Sequence, residues 1–454
     1  MTAEPLPADE PGRPRGRPRG RNEVIRNGTV AGLDPEALAA RFGTPLYVYD
    51  LDVVERQVRS LAAVLPPSVD LAYAVKANPA LGVVAHVGSL GLGADVASGG
   101  ELETALAAGV RTDRIVFTGP GKRDEELRLA VRREIRAITV ESLGELDRLA
   151  SIAQAEGRRA RVLLRAAVSR AARLERVRLV GDDGAGKFGL GPDELRVAAE
   201  RAVRSPHLEP LGLHAFGASN VLDAGALADH VATTVAAAAA LARDTGFPLR
   251  LVDVGGGIGI PYESHEESFD LVGFGRRMAE LVAAWTCDPV LGDIRLLLEP
   301  GRFLVGPAGA YLARVVDRKT LDGRDVVIVD GGIHHLVRPA LVGQEHRVRR
   351  FGSPSAGPAR FAPVTIAGPL CSGLDVLATE AMIRTPEVGD LVAVLDVGAY
   401  GFTESMPFFL SHPLPAEVAV RGRQAALLRP RLEPATVLGW QRLPAWTGED
   451  GGTG

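Results

Sequence analysis

Lysine is scarce in this sequence: Lys76, Lys122, Lys187 and Lys319 are the only lysines among 52 basic residues. Lys76 lies in Leu71-Ala72-Tyr73-Ala74-Val75-Lys76-Ala77-Asn78-Pro79, where small and apolar residues run into an Asn-Pro stop. That pattern predicts a short buried strand with the lysine at its last position, where the chain is about to turn. A lysine is almost never buried without a partner or a task. A desolvated amine can shed its proton and form a Schiff base with a carbonyl, which a guanidinium cannot do.

Other polar residues close or follow short apolar runs in the same way. Asp95, Glu141, Arg165 and His214 do so, as do Asp253-Val254-Gly255-Gly256-Gly257-Ile258-Gly259 and Glu299-Pro300-Gly301-Arg302. For His214 alone, a satisfied core histidine is the plainer reading; packing does not explain the whole set. Gly255, Gly256 and Gly257 let backbone N–H groups converge on an anion without Cβ interference, and Arg302 offers a forked cation to the same anion. An amine, an anion cradle and the carboxylate of Glu299 together suit pyridoxal 5′-phosphate (PLP). Its aldehyde, phosphate and ring nitrogen need those three partners. No metal site is read from the sequence.

The elements that must position these residues follow from periodicity. Short apolar strands are expected at 72–75, 92–96, 114–118, 137–140, 161–165, 210–214, 250–254 and 294–298. Amphipathic helices are expected between them, including 101–108, 124–133, 143–156 and 226–245. Eight such cycles imply an α/β fold with a parallel sheet closed as a (β/α)8 TIM-like barrel, with an open doubly wound sheet as the alternative. In a barrel the strand ends converge on one mouth, which is where the polar set lies. The barrel is expected over 44–305. Val-rich runs at 326–329, 391–395 and 418–420 between Gly/Pro turns predict an antiparallel β domain formed by 23–43 with 306–440, to which 23–31 adds a strand.

Residues 1–22 are rich in Pro, Gly and Arg and are expected to be a disordered basic tail. Its Gly-Arg-Pro core resembles an AT-hook, but a basic tail is the commoner explanation and nucleic-acid binding is not expected. Residues 441–454 read as a loose tail. The 46% hydrophobic and 24% charged fractions are those of an ordinary globular chain, and a net charge of −4 draws it neither to nucleic acid nor to membrane. Two cysteines, Cys287 and Cys371, cannot form a disulfide framework, so a reducing cytoplasm is expected. No apolar run approaches the roughly 20 residues that span a bilayer.

Tyr73-Ala74-Val75-Lys76-Ala77-Asn78, Gly93-Ala94-Asp95-Val96-Ala97-Ser98, Asp253 with Gly255–Gly257, and Glu299-Pro300-Gly301-Arg302 carry a resemblance. Cys371-Ser372-Gly373-Leu374-Asp375 and Gly398-Ala399-Tyr400-Gly401-Phe402 extend it. The chain resembles the fold-type III PLP-dependent decarboxylases, the group of the diaminopimelate and ornithine enzymes. The resemblance implies a barrel followed by a β-sandwich-like domain, and a homodimer with shared active sites. Lys76 would hold PLP as a Schiff base and Glu299 would pair with its ring nitrogen. Gly255, Gly256, Gly257, Ser219, Arg302 and Tyr400 would surround the phosphate, with Asp95 and Arg165 near the Schiff base. Arg338 would meet a substrate carboxylate, Ser372 and Asp375 would face the substrate, and Cys371 would enter from the partner chain to return a proton to Cα.

The chain departs from the family pattern in places. The usual His-x-His-x-Gly-Ser reads His214-Ala215-Phe216-Gly217-Ala218-Ser219, so Phe216 stands where a second histidine stacks on the ring. A phenyl ring still stacks but neither donates a hydrogen bond nor titrates. Ser372 replaces the carboxylate that receives a distal ammonium in the diaminopimelate and ornithine enzymes. With Phe216 and Phe408-Phe409-Leu410-Ser411-His412-Pro413, it makes the chain similar to the branch acting on amino acids tethered to an acyl carrier protein. The expected reaction is α-decarboxylation of a carrier-bound acidic L-amino acid in a secondary-metabolite pathway. Free diaminopimelate is the alternative substrate, and an inactive binding protein the alternative of another class. The cationic run His346-Arg347-Val348-Arg349-Arg350 is a candidate contact for an acidic carrier.

Overall fold

The computed structural model describes residues 24–167, 187–217, 219–263, 265–352 and 361–444. The basic tail at 1–22, with its AT-hook-like core, and most of the C-terminal tail lie outside them. Eight parallel strands close into a barrel: Val69–Ala74, Gly93–Val96, Ile115–Phe117, Ala137–Val140, Ala160–Arg165, Leu208–His214, Leu251–Asp253 and Arg295–Leu298. Helices cross between them, from Leu81–Ser89 through Gly99–Ala107, Asp124–Arg133, Leu143–Ala155, Pro192–Arg204 and Ala224–Thr245 to Leu271–Trp285. Their starts are written in the sequence. Ser98, Ser142, Asp223 and Asp270 each accept a hydrogen bond from a first-turn backbone N–H.

Alternation along each strand sorts the side chains. One set of residues, including Val96, Leu164, Val252 and Leu298, packs outward into the helix layer. The other set fills the barrel: Ala72, Val116, Ala137, Leu163, Leu251 and Leu297 form a separate buried cluster. Two residues beyond three of these leucines come Arg165, Asp253 and Glu299. A period of two thus places an apolar residue in the lumen and a polar one above it at the mouth.

The first barrel strand ends earlier than expected, at Ala74, and Lys76 occupies the middle of a 3-10 turn, Val75–Ala77. The strand Leu46–Asp50, inside the span expected to be barrel, lies instead in the second domain. There it pairs antiparallel with Gly309–Leu321 and parallel with Ala416–Arg421. All five of its residues are buried, since it is a central strand covered on both faces. The barrel begins with the helix that follows, Leu51–Val64.

The C-terminal sheet is mixed rather than antiparallel, because Phe361–Ala367 also joins Arg324–Val329 in parallel. Gly309–Leu321 is its spine. Its first half lies between Leu46–Asp50 and Leu391–Leu395; after a bulge at Val315/Asp317 its second half pairs only with Arg324–Val329. The segment expected to add a strand at 23–31 makes its own two-stranded hairpin. Val24, Val30 and Ala31 of that hairpin pack with Leu46, Val48 and Leu312 of the sheet.

Ala224–Thr245 is, among the described residues, the one helix long and apolar enough by length and composition to cross a membrane, contrary to the sequence expectation. Half of it is buried in the protein. Leu227, Val231, Val235 and Ala238 give it the buried face of a barrel helix.

Candidate active site

Lys76 is fixed by the junction of the two domains. Tyr73 Oη donates to the carbonyl of Asn78 (2.9 Å), Asn78 Nδ2 donates to the carbonyl of Gly398 (3.0 Å), and Tyr400 N donates to the carbonyl of Ala77 (2.8 Å). The turn carrying the lysine is therefore clamped between its own strand and a loop of the β domain. Lys76 Nζ donates to Asp95 Oδ2 at 3.0 Å, and Thr118 Oγ1 donates to Asp95 Oδ1 at 2.6 Å. The lysine side chain is 40% exposed while that of Asp95 is wholly buried. Burial opposes the ammonium charge, but Asp95 and Glu299 outweigh it and raise the Lys76 pKa. Burial, then the Glu299 charge, raise the pKa of Asp95.

Lys122 makes an instructive contrast. It is buried, and its Nζ donates to the carbonyls of Gly119 and Thr139 (2.6 Å each) and to Glu145 Oε1 (2.8 Å). All three ammonium donors are spent on structure.

His214, Asp253 and Glu299 form a buried cluster whose polar atoms lie within 4.8 Å of one another. His214 Nε2 is 3.8 Å from Glu299 Oε2. Among the described residues, both ring nitrogens of His214, Oε1 of Glu299 and Oδ2 of Asp253 have no hydrogen-bond partner. Burial favours the neutral acid, but His214, Lys76 and Asp253 outweigh it and bring the Glu299 pKa down to about 2. Burial first and the Glu299 charge second push Asp253 well above the usual carboxylate range. Within this coupled pair the negative charge is favoured on Glu299 and disfavoured on Asp253.

A cleft opens beside this cluster, lined by Lys76, Phe216, Ser219, Gly256, Gly257, Glu299, Arg302 and Tyr400 among others. Gly255 has φ +68°, and a Cβ there would stand 2.7 Å from Phe216 Cδ2. A Cβ on Gly256 would meet the Glu299 carbonyl oxygen at 2.3 Å, so only glycine lets this loop pass so close to the last strand. Phe216 faces the lysine, with Nζ 5.8 Å from the ring centroid. Arg302 is buried, donates from Nη1 to Tyr262 Oη at 2.7 Å, and lies 4.6 Å from the Tyr400 ring centroid.

Other expected site residues are engaged elsewhere. Arg165 Nη1 donates to Glu141 Oε1 (2.7 Å), and its guanidinium lies over Phe188 at 4.5 Å. Arg338 donates from Nη1 to both oxygens of Glu404 (3.1 and 2.8 Å) and from Nε to Gln344. Asp375 is a correction. It is buried, accepting from Ile333 N at Oδ1 (2.8 Å) and from Leu370 N at Oδ2 (2.7 Å), so it clamps the loop bearing Cys371. Ser372 is half-buried and accepts from Leu374 N, and Cys371 is exposed and outside the wall of its own chain's cleft. The cationic run at 346–350 is also corrected. His346 is buried against the Leu395 carbonyl, Arg347 pairs with Asp396, and Arg350 is buried on Asp390. This run is part of the sheet and its flank, and Arg347 and Arg350 are neutralised within the chain.

Three residues complete the site without having been assigned a role from sequence: Thr118 orients Asp95, Asp253 accompanies Glu299, and Tyr262 holds Arg302. Thr118 and Asp253 stand two positions beyond lumen residues Val116 and Leu251, so strand alternation marks them. Nothing in the local sequence marks Tyr262.

The arrangement fits pyridoxal 5′-phosphate on its own terms. Among the described residues Glu299 Oε1 is an orphaned acceptor for a ring N–H, the glycine loop leaves its cradle open, and Lys76 is the one amine on the cleft wall. Comparison with known proteins agrees. Residues 51–306 match the family model described as pyridoxal-dependent decarboxylase, pyridoxal binding domain, and that span starts at the helix that opens the barrel. The chain is 32% identical over 403 residues to the L-glutamyl-[BtrI acyl-carrier protein] decarboxylase of Niallia circulans, covering 87% of this chain and 92% of that protein. It is 32% identical over 418 residues to the diaminopimelate decarboxylase of Zymomonas mobilis, covering 90% and 95%. The crystal structure of diaminopimelate decarboxylase from Helicobacter pylori complexed with L-lysine superposes with a TM-score of 0.78 at 29% identity, covering 89% of this chain and 98% of that one. By its barrel, its cleft and these matches, the chain belongs to the pyridoxal-dependent decarboxylases, is a carboxy-lyase acting on an amino acid, and uses pyridoxal 5′-phosphate.

Proposed function

We propose that this chain removes the α-carboxylate of an acidic L-amino acid whose distal carboxyl is held as a thioester on an acyl carrier protein. The observation that carries the reading is Ser372, a neutral hydroxyl next to the exposed Cys371, where an enzyme receiving a distal ammonium needs a carboxylate. An uncharged thioester asks for no such charge. The acyl-carrier decarboxylase among the relatives supports the same reading, and the diaminopimelate decarboxylases make free diaminopimelate the second one.

When bound, the cofactor supplies an electrophilic aldehyde and a ring that accepts the electrons left by departing CO2. The chain's own groups prepare this chemistry. Lys76 must lose a proton before its amine attacks a carbonyl. Asp95 Oδ2, 3.0 Å away and with its pKa raised, is the base in place to take it. Thr118 holds the other oxygen and so fixes the direction of transfer. Ionised Glu299 would keep a proton on the ring nitrogen, with Asp253, whose pKa burial and the Glu299 charge raise, beside it as its neutral partner. Gly255, Gly256, Gly257, Ser219, Arg302 and Tyr400 would hold the phosphate, and His214 and Phe216 would contact the ring. Two copies would complete each site, the exposed Cys371 of the partner subunit supplying the proton for Cα.

The test is CO2 release from free glutamate, aspartate and diaminopimelate against the same acidic residues loaded on an acyl carrier protein, together with mass in solution. Turnover of the carrier-bound substrate by a dimer is expected. Efficient turnover of free diaminopimelate alone would overturn the tethered reading, and a monomer with full activity would overturn the shared site.

A further inference from the structure

Arg338 is 97% buried by the protein, being 3% exposed, and its guanidinium lies 5.3 Å from the Tyr400 ring centroid. That ring is also 4.6 Å from Arg302, which lines the cleft. Arg338 is therefore one aromatic ring removed from the cleft wall. A buried guanidinium needs a counter-ion from the ligand or from the protein. Here the protein provides it. Glu404 takes the Nη1 edge with both oxygens, and Gln344 takes Nε.

The pairing is built in rather than incidental. Ser405, the neighbour of Glu404, accepts from the backbone N–H of Val337, the neighbour of Arg338, at 3.0 Å. The same hydroxyl donates to the carbonyl of Gly401 at 2.9 Å, tying the Tyr400 loop to the start of the helix Arg338–Val342. Gln344 is in turn held by His346 at 2.9 Å. The negative charge of Glu404 also reaches the cleft. Burial works against the charge of Arg302, but Tyr262, Tyr400 and, more weakly, Glu404 keep it cationic.

We infer that Glu404 sets the substrate class. By occupying the anion-binding edge of Arg338, it makes the site select an α-amino acid whose distal group is an uncharged ester or thioester and reject one with a free distal carboxylate. This rests on the carrier-bound reading above and adds the residue that enforces it. A free distal carboxylate would have to displace Glu404 from Arg338 Nη1 or sit beside it uncompensated, and an ester meets neither obstacle.

The test compares wild type with Glu404→Gln and Glu404→Ala as PLP-loaded enzymes. Calorimetric binding of glutarate and monomethyl glutarate, which lack the amine and cannot react with the cofactor, reads the site without turnover. The ratio of kcat/KM for L-glutamate and its γ-methyl ester reads it with turnover. Glu404→Ala is expected to bind glutarate about tenfold or more tightly, as one charge-assisted contact is gained, with monomethyl glutarate nearly unchanged and the ester preference reduced in parallel. Glu404→Gln, which keeps a neutral hydrogen bond to Arg338, is expected to fall between and guards against loss of fold in the alanine variant. Unchanged glutarate-to-ester ratios in folded, cofactor-loaded variants would overturn the role of Glu404 alone. A wild type that turns over neither the ester nor the carrier thioester would overturn the functional reading beneath it.

Discussion

Asp253 offers the sharpest internal check, because its proposed role depends on its proton. Its Oδ1 accepts from Gly255 N at 3.0 Å, and its Oδ2 has no partner among the hydrogen bonds, facing the ionised Glu299. A protonated acid there is mimicked by an amide, whose oxygen serves Gly255 and whose NH2 serves Glu299. Asp253→Asn should bind PLP within about threefold of wild type, since no hydrogen bond is lost. Asp253→Ala removes the acceptor of Gly255 N and the polar group that faces the Glu299 charge, a loss of about 1.5–3 kcal/mol. It should weaken PLP binding roughly 10- to 100-fold, with kcat falling in step. Spectrophotometric titration of the cofactor-free enzyme with PLP gives the affinities, and CO2 release gives kcat. The asparagine variant being as damaged as the alanine one would show that Asp253 acts as an anion, and the proton-sharing account of Glu299 would be wrong.

Tyr262→Phe removes the acceptor of Arg302 while keeping a ring beneath the guanidinium. PLP affinity should drop by about 1 kcal/mol, roughly fivefold, in the same titration. Asp375→Ala leaves the N–H groups of Ile333 and Leu370 unpaired, and denaturant unfolding should show a loss of about 2–4 kcal/mol. A raised KM with unchanged stability would instead return Asp375 to the substrate. His334 is fully buried with both ring nitrogens unpartnered, packed on His335 and His412. Burial first, and His412 second, bring its pKa down to about 4. A base whose folded pKa is depressed contributes its full stability above the unfolded value of 6.5 and loses it as pH falls through about 4. Thermal unfolding of His334→Leu should therefore decline less steeply between those values than wild type; parallel curves would exclude His334 as a source of acid sensitivity.

Much of the barrel was legible because its strands are short apolar runs at regular intervals, each ending in a polar residue. The strand Leu46–Asp50 was not. It is buried on both faces and precedes a helix like any barrel strand, and only its long-range pairing with Gly309–Leu321 and Ala416–Arg421 places it elsewhere. At the site, Lys76, Asp95, Glu299, the glycine loop and Arg302 converge as their spacing foretold, since strand ends in a barrel meet whatever their separation along the chain. Residues whose role depends on pairing were misread. A carboxylate such as Asp375 looks the same in sequence whether it meets a ligand or two backbone N–H groups. Arg347 and Arg350 look like a free basic run until Asp396 and Asp390 are seen beside them. Glu404 carried no signal at all, because its partner Arg338 lies 66 positions away.

The central claim is that Lys76 alone among the four lysines carries the cofactor. Borohydride reduction of the PLP-loaded enzyme, proteolysis and mass spectrometry read this directly. A pyridoxyl group on the peptide containing Lys76 is expected, with a visible absorption band that is lost in Lys76→Ala. A label on Lys122, Lys187 or Lys319, or no label on a protein that still releases CO2, would contradict it.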